Sequence, residues 1–462
     1  MSCRKIVGSG SYGTVYDQGN GKVTKEMELV FENTSDQLDI QESILREICF
    51  LSSIYHPFIL PIDNVQRNDR ILSFDLEKFG QDIYKQIFEM SYNERVKILP
   101  QIIHTTASVL KDLDSLNLCH GDLKPPNILY DVSKNEIRII DFGGVKHYPE
   151  LNDQQTCTAV FASPEHLFEN ELTISADIFS LGLITKFLLY KSVEEVEDIE
   201  NAYNSKNEKY PLYEGNIMSS LSRSTENLLI KCENMLIIDP EYRPQPHEIL
   251  SWSELYKASN NTIERKDYLW AFVSNNGYVP NRWNRFKHLN LNTREVGVEY
   301  IFHISDKICF WKINPNAVKI PVHAVWIFDM YMDTLSPDYS KTDKFQLILL
   351  SCIILASSMD EIKTLDSYTK DCNEKYTTEE IINMVWTIFS TLNYQLFFDN
   401  FVSHLEYEVL INPTVVMYMM INRDYIAKTC KQKVSIYNKI YEKPLDLSKI
   451  NFKKIHSKFA VK

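Results

Sequence analysis

Two short strings in the chain carry residue types that can do chemistry together. His120-Gly121-Asp122-Leu123-Lys124-Pro125-Pro126-Asn127 leads through Ile128-Leu129-Tyr130 to Ile139-Ile140-Asp141-Phe142-Gly143. A carboxylate can take a proton from a hydroxyl, an ammonium can neutralise a phosphate, and carboxylate and amide oxygens suit a hard cation such as Mg²⁺. Phosphoryl transfer asks a protein for such a set, because its catalysis is mostly positioning and charge neutralisation. Asp, Asn, Pro and Gly are also ordinary turn residues. Turn chemistry accounts for any one of them, but not for both strings in this order with apolar runs between.

The two strings resemble the catalytic loop and the magnesium-binding loop of eukaryotic protein kinases. The resemblance implies that Asp122 accepts or orients the hydroxyl proton and that Lys124 lies against the transferred phosphate. It implies Asn127 and Asp141 as metal ligands, and ATP and Mg²⁺ as cofactors, with Mn²⁺ as a substitute. Further pieces stand upstream. Gly8-Ser9-Gly10-Ser11-Tyr12-Gly13-Thr14-Val15 follows the strand-like Lys5-Ile6-Val7 and is similar to the family's glycine-rich flap over ATP. Asn20-Gly21 is a hairpin signal. It returns the chain to Lys22-Val23-Thr24-Lys25, where the family has its phosphate-binding lysine. Lys25 takes that place, with Lys22 as a rival. The interval from glycine loop to lysine is shorter than the family's usual one.

Apolar positions Ile44, Ile48, Leu51 and Tyr55 have helical spacing. Ser43-Ile44-Leu45-Arg46-Glu47-Ile48 before His56-Pro57 resembles the regulatory helix of kinases, particularly cyclin-dependent ones, and implies that Glu47 pairs with Lys25. Ile71-Leu72-Ser73-Phe74-Asp75-Leu76 resembles the strand and hinge that hold adenine, with Asp75 and Leu76 at the nucleotide and Phe74 behind it. Residues 96–116 read as a helix leading into the catalytic loop. Beyond that loop the resemblance implies structural supports. Thr158 bridges Asp122 and Lys124, Glu165 of Ser163-Pro164-Glu165 pairs with Arg243, and Asp177 holds the catalytic-loop backbone. Lys124 and Thr158 follow the Ser/Thr rather than the Tyr pattern.

Two departures bear on regulation and specificity. Gly121 replaces the arginine that grips an activation-loop phosphate, so control by phosphorylation there lacks its main partner. Thr156 remains a candidate modification site, and Asp153 could supply a permanent charge. Val160-Phe161-Ala162 replaces the Trp-Tyr-Arg of cyclin-dependent kinases, so a preference for proline after the target residue does not carry over. The acidic run Glu194, Glu195, Glu197, Asp198 and Glu200 reads as a solvated face.

The chain has 462 residues, enough for about two to four domains. Its 44% hydrophobic and 24% charged content is that of a globular protein. A net charge of −13 argues against general binding to nucleic acid or anionic membranes. Nine cysteines without a Cys-x-x-Cys pair suggest a reduced intracellular protein without a zinc site. Met1-Ser2-Cys3-Arg4-Lys5 lacks the apolar core of a signal peptide, and the longest apolar stretch, residues 347–356, is far short of the ~20 residues that span a bilayer. The reading is therefore soluble, with cytoplasm and nucleus undistinguished.

Ala258-Ser259-Asn260-Asn261-Thr262 is a polar break, after which helical periodicity takes over. One helix is expected from Thr293-Arg294-Glu295-Val296 and a second around residues 324–331. A third, apolar nearly all round, runs from Phe345 to Glu361. A fourth starts on the capping box Thr377-Thr378-Glu379-Glu380 and presents Ile381, Val385, Ile388 and Leu392 on one face. In that order these resemble the cyclin box, with an unrelated helical bundle as the alternative. Ser358 and Val385 hold the places of the lysine and glutamate with which cyclins clamp their kinase.

The expected architecture is an α+β bilobal protein kinase followed by an all-α cyclin-like helical domain. The kinase covers 1–257 (small lobe about 1–76, large lobe about 77–257), and 258–284 is a linker and leading helix. The cyclin-like domain covers 285–398, and 399–462 is a helical extension with a basic tail of Lys453, Lys454, Lys458 and Lys462. The expected function is ATP-dependent phosphorylation of Ser/Thr in protein substrates, with the cyclin-like half as an activator in cis. An external cyclin or cyclin-dependent kinase is a further candidate partner. The alternative is a catalytically weak scaffold that recruits another kinase or a substrate. Kinase and cyclin box in one chain are unusual among cellular members of these families and would be consistent with a large DNA virus.

Overall fold

A computed structural model describes residues 4–255 with short interruptions, among them 11–12, 30–34, 148–149, 152–157, 193–195 and 213–220. Beyond these it describes chiefly 319–335, 344–359 and 375–394. Ser11, Tyr12, Tyr55, Asp153, Thr156, the polar break, most of the helix expected from Thr293, and the 399–462 extension lie outside the described residues. The chain divides into two compact units, 1–276 and 277–462, and the division falls within the stretch expected to connect the domains.

The first unit begins with a five-stranded antiparallel sheet in the order β1-β2-β3-β5-β4. Its strands are β1 Lys5–Gly10, β2 Gly13–Asp17, β3 Lys22–Glu28, β4 Ile62–Asn68 and β5 Ile71–Glu77. The glycine motif is thus the β1–β2 hairpin. Gly13 needs its missing side chain: at φ +145° a Cβ would lie 2.4 Å from the Glu26 carbonyl oxygen. Helix α1, Ser35–Ser53, follows β3, and Ile44, Ile48 and Phe50 on it are fully buried.

The large lobe follows β6 Gln81–Asp82 and α2 Ile83–Glu89. Helix α3, Tyr92–Ser115, starts earlier than residue 96 because Ser91 and Glu94 close a capping box. It delivers the chain through β7 Leu118–Cys119 to the catalytic loop. The hairpin β8 Ile128–Asp131 and β9 Glu136–Ile139 then carries the chain to Asp141, and β10 Lys146–His147 pairs back onto β7. Both ends of the motif region are therefore fastened to the same short ladder. After α4 Pro164–Phe168 comes α5 Ile174–Tyr190, buried along nearly its whole length, as the core of the lobe. Helices α6 Val196–Asn204, α7 Arg223–Cys232 and α8 Pro246–Leu250 follow.

In the second unit, α9 Lys319–Thr334, α10 Phe345–Met359 and α11 Thr378–Thr391 are described. Helix α10 packs against both of the others. The Thr377–Glu380 capping box is formed. Ile381, Val385, Ile388 and Leu392 are buried, but so are Ile382, Trp386 and Phe389, so α11 is covered on more than one face. Ser358 and Val385 are core residues at 3% and 4% exposure, and the Ser358 hydroxyl donates to the Ile354 carbonyl at 2.8 Å. Neither is available as a docking clamp.

Cys49, Cys119, Cys232 and Cys352 are buried. Among the described residues no helix is long and apolar enough to cross a membrane.

Candidate active site

Strand geometry decides between the two candidate lysines. Side chains alternate across a strand, so residues an odd number apart face opposite sides. Lys22 faces outward and bonds Asp63 at 2.9 Å, with both partners substantially exposed. Lys25 faces α1, where its Nζ lies 2.7 and 2.6 Å from the two Glu47 carboxylate oxygens. Glu47 is 4% exposed. Burial pushes its carboxyl above the usual range, the Lys25 ammonium opposes that rise, and the nearby Asp141 carboxylate adds to it. A second contact fixes α1, and the sequence reading missed it. Arg46 Nε donates to the Gly143 carbonyl at 3.1 Å, and a Cβ on Gly143 would meet Ser43 Oγ at 2.3 Å. The only sequence signal was the position of Arg46 beside Glu47.

The catalytic-loop groups converge on Asp122. Its Oδ2 accepts from Lys124 Nζ at 2.6 Å and its Oδ1 accepts from the Thr158 N–H at 2.9 Å. Lys124 Nζ also donates to Thr158 Oγ1 at 2.8 Å. Asn127 gives its amide nitrogen to the Asp122 carbonyl at 2.9 Å, which leaves the amide oxygen as its remaining acceptor. Asp141 stands at φ +66°, a left-handed conformation rare for a non-glycine residue and a form of strain that clusters at functional sites. The next residue holds it there. Phe142 is fully buried, stacked on Phe50 with ring centres 4.5 Å apart and 5.0 Å from the His120 ring. Asn127 and Asp141 together fit a cation held chiefly by phosphate oxygens, as Mg²⁺ often is. Among the described residues no cluster of His, Cys, Asp and Glu could hold a metal without such help.

The supports lie beneath. The Asp177 carboxylate accepts from the backbone N–H of His120 at 2.6 Å and of Gly121 at 3.0 Å, while its burial pushes the carboxyl up to about 7. Arg243 and Glu165 form a two-pronged pair at 2.6 and 2.8 Å. Gly121 has a structural reason. It stands at φ +77°, and a Cβ there would lie 2.5 Å from the Gly144 carbonyl oxygen. The loop after Asp141 therefore closes over the place an arginine side chain would leave. Gly121→Ala is expected to lower stability by about 1–3 kcal/mol, from backbone strain and the clash. A thermal unfolding midpoint equal to that of the parent would contradict this.

Two residues expected at the adenine are engaged in the sheet. Asp75 and Leu76 lie within β5, paired with β3 on one side and β4 on the other. The Asp75 carboxylate is taken up by Thr24 at 2.8 Å, Gln18 at 2.6 Å and Asn64 at 2.9 Å, so it ties three parts of the sheet together. The chain leaves the sheet only after Glu77, and residues 78–80 connect it to β6. Phe74 is fully buried, with Lys25 Nζ 5.8 Å from its ring centre. Of the flap, Gly8, Gly13, Thr14 and Val15 line the β1–β2 hairpin, and Ser9 and Gly10 are described by their backbone.

Comparison with known proteins agrees with this geometry. Residues 1–253 match the family described as Protein kinase domain, and residues 259–397 match Cyclin, N-terminal domain. An Aurora kinase of Dictyostelium discoideum is 27% identical over 245 residues, which cover 52% of this chain and 61% of that protein. The serine/threonine-protein kinase ULK3 of Rattus norvegicus is 28% identical over 188 residues, which cover 38% of this chain and 39% of that protein. The chain thus spans well short of the whole length of either relative.

Proposed function

Because the chain belongs to the protein kinase family and carries a cyclin N-terminal domain after its kinase domain, we propose that it transfers the γ-phosphoryl group of ATP to Ser/Thr hydroxyls of proteins, with the cyclin-like region as activator in cis. The proposed boundaries are 1–257 for the kinase and 285–398 for the cyclin-like domain. The observation that carries this reading is the pair of assembled clusters, Lys25 with Glu47 and Asp122 with Lys124 and Thr158.

In this reading Asp122 orients the substrate hydroxyl and takes its proton, and Lys124 neutralises the phosphate as it is transferred. Thr158 holds both in register. Lys25, steadied by Glu47, draws the α- and β-phosphates under the flap of Gly8 to Val15. Asn127 and Asp141 hold Mg²⁺, which when bound neutralises phosphate charge; Mn²⁺ offers the same chemistry. The adenine is held by the backbone of Phe79 and Gly80 rather than by Asp75 and Leu76, because the ladders of β5 already occupy those two and the Lys78 N–H donates to the Gly21 carbonyl at 2.9 Å.

Because the two are tethered, the proposed activation in cis would act at an effective concentration on the order of mM. The cyclin-like region would favour the inward position of α1 without needing a phosphate on the activation segment, which suits Gly121. The alternative scaffold reading rests on Gly121 and on the loss of clamp residues at Ser358 and Val385.

The test is phosphate transfer from ATP to generic protein substrates and to the chain itself, by the full-length protein and by Asp141→Asn. Activity in the first and silence in the second supports the kinase; equal silence from folded samples of both favours the scaffold. Glu47→Gln is expected to cut transfer by about 10²-fold, the scale of misplacing a positioned group. An unchanged rate would remove the ion pair from the mechanism.

A further inference from the structure

Helix α1 turns one face to the metal loop. Ser43, Arg46, Glu47 and Phe50 stand at positions i, i+3, i+4 and i+7, a single stripe at helical spacing, and all four are buried. Each meets a particular part of the site. Glu47 takes Lys25, and Phe50 stacks on Phe142, the residue after Asp141. Ser43 and Arg46 both bear on Gly143. Arg46 Nε donates to the Gly143 carbonyl at 3.1 Å, and Ser43 leaves no room there for a Cβ.

The placing of Gly143 matters because Asp141 is strained. A left-handed aspartate at φ +66° persists only where its surroundings over-determine it. Phe142 is fixed by its buried ring, whereas Gly143 has the freest backbone of the three. The Val145 N–H closes the turn onto the Phe142 carbonyl at 3.2 Å, and the Gly143 carbonyl goes to α1. A guanidinium bond to a carbonyl is charge-assisted and stronger than a neutral one. Arg46 is only 4% exposed, and an apolar side chain of similar volume would often fill such a place at no loss of stability. A buried cation here points to the bond it makes rather than to the space it fills.

We propose that Arg46 is a positioning residue for phosphoryl transfer: through the Gly143 carbonyl it holds the Asp141 carboxylate where Mg²⁺ is bound. It acts through the Gly143 peptide rather than on the reacting atoms. The proposal rests on the kinase reading above, in which Asp141 is a metal ligand, and deepens it. Glu47 and Arg46, neighbours on α1, divide the work: the first steadies the lysine at the phosphates, the second steadies the loop at the metal.

The test uses the full-length protein and reads affinity as well as turnover. A fluorescent non-hydrolysable ATP analogue is titrated with Mg²⁺ present and with the metal chelated, and the ratio of the two dissociation constants measures what the metal adds. In Arg46→Gln that gain is expected to shrink by about tenfold, the usual cost of losing a group that orients a metal ligand, while metal-free affinity stays parental. Phosphotransfer by the same variant should need about tenfold more Mg²⁺ to reach half its maximum. Arg46→Lys, which keeps a donor for the carbonyl, should recover most of the gain. Gly143→Ala reaches the same contact from the other side, since its Cβ would meet Ser43 Oγ, and it should show the same metal-specific loss with Arg46 intact. That variant keeps the test decisive if Arg46→Gln does not fold. A parental metal gain in either variant would overturn the proposal, as would a parent that gains nothing from Mg²⁺. A loss of equal size with and without metal, the mark of a purely structural side chain, would overturn it too, and so would a lysine variant no better than the glutamine one. If the metal gain falls and returns as stated but no form transfers phosphate, Arg46 keeps its place at the metal loop and the transfer activity is removed.

Discussion

Asp122→Asn is expected to lower kcat by about 10²–10⁴-fold, the usual worth of a positioned proton acceptor, with nucleotide affinity nearly unchanged. Asn keeps an oxygen that can accept the Thr158 N–H, which Asp122 Oδ1 now takes at 2.9 Å. It loses the negative charge that a hydroxyl proton would move to. It also sets an amide near the Lys124 ammonium, now 2.6 Å from Oδ2, so the lysine loses its anchor. Because Asp122 is only partly buried and the loop beneath it is held by Asp177, the fold should survive. The measurements are steady-state phosphotransfer and binding of a non-hydrolysable ATP analogue. A variant that binds the analogue as the parent does and turns over at the parental rate would remove Asp122 from the chemistry.

Arg243→Ala should be the most damaging of these substitutions to the fold, at about 3–5 kcal/mol, because it leaves a buried carboxylate unpaired. The guanidinium and the Glu165 carboxylate have side-chain exposures of 0% and 4%. Beyond Glu165, Arg243 donates to the carbonyls of Ile237, Ile238 and Ser175 at 2.7, 2.7 and 2.9 Å, and it lies 4.7 Å from the Phe179 ring centre. One side chain thus ties α4, the start of α5 and the strand-less segment before α8. An apolar replacement strands three acceptors and one charge together. Thermal or denaturant unfolding of the full chain reads the loss. The double variant Glu165→Leu/Arg243→Leu should recover part of it, since it removes the orphaned charge, whereas additive losses from the two single changes would show that the pair is not coupled.

Much of the candidate site was legible in the sequence because its chemistry is local. Asp122, Lys124 and Asn127 share one tight loop, so their spacing alone implies a common neighbourhood, and Phe142 and Gly143 mark Asp141 as part of a second motif. The glycine hairpin and the Thr377–Glu380 capping box could be read for the same reason: turns and caps are set by residues within a few positions of each other. Glu47 and Lys25 could be paired only by resemblance, since nothing in an amphipathic helix states which strand it will face.

What the tertiary structure decided involves faces, registers and close approaches. The strand's alternation meant that only one of Lys22 and Lys25 could face α1, but which of them did so depended on how the sheet packed. Asp75 and Leu76 turned out to be paired on both sides within β5, because hydrogen bonding from two neighbouring strands is not visible in a strand's own sequence. Gly121 read as a lost arginine, and became a residue required by the Gly144 carbonyl beside it. The rings of Tyr84, Phe187 and Phe161 come from α2, α5 and the turn after Thr158, and they meet only once the lobe has folded. By itself the sequence determined which chemical groups the protein owns and which of them share a loop. Packing between distant segments determined which of those groups meet, because burial and backbone contact are properties of pairs far apart in the chain.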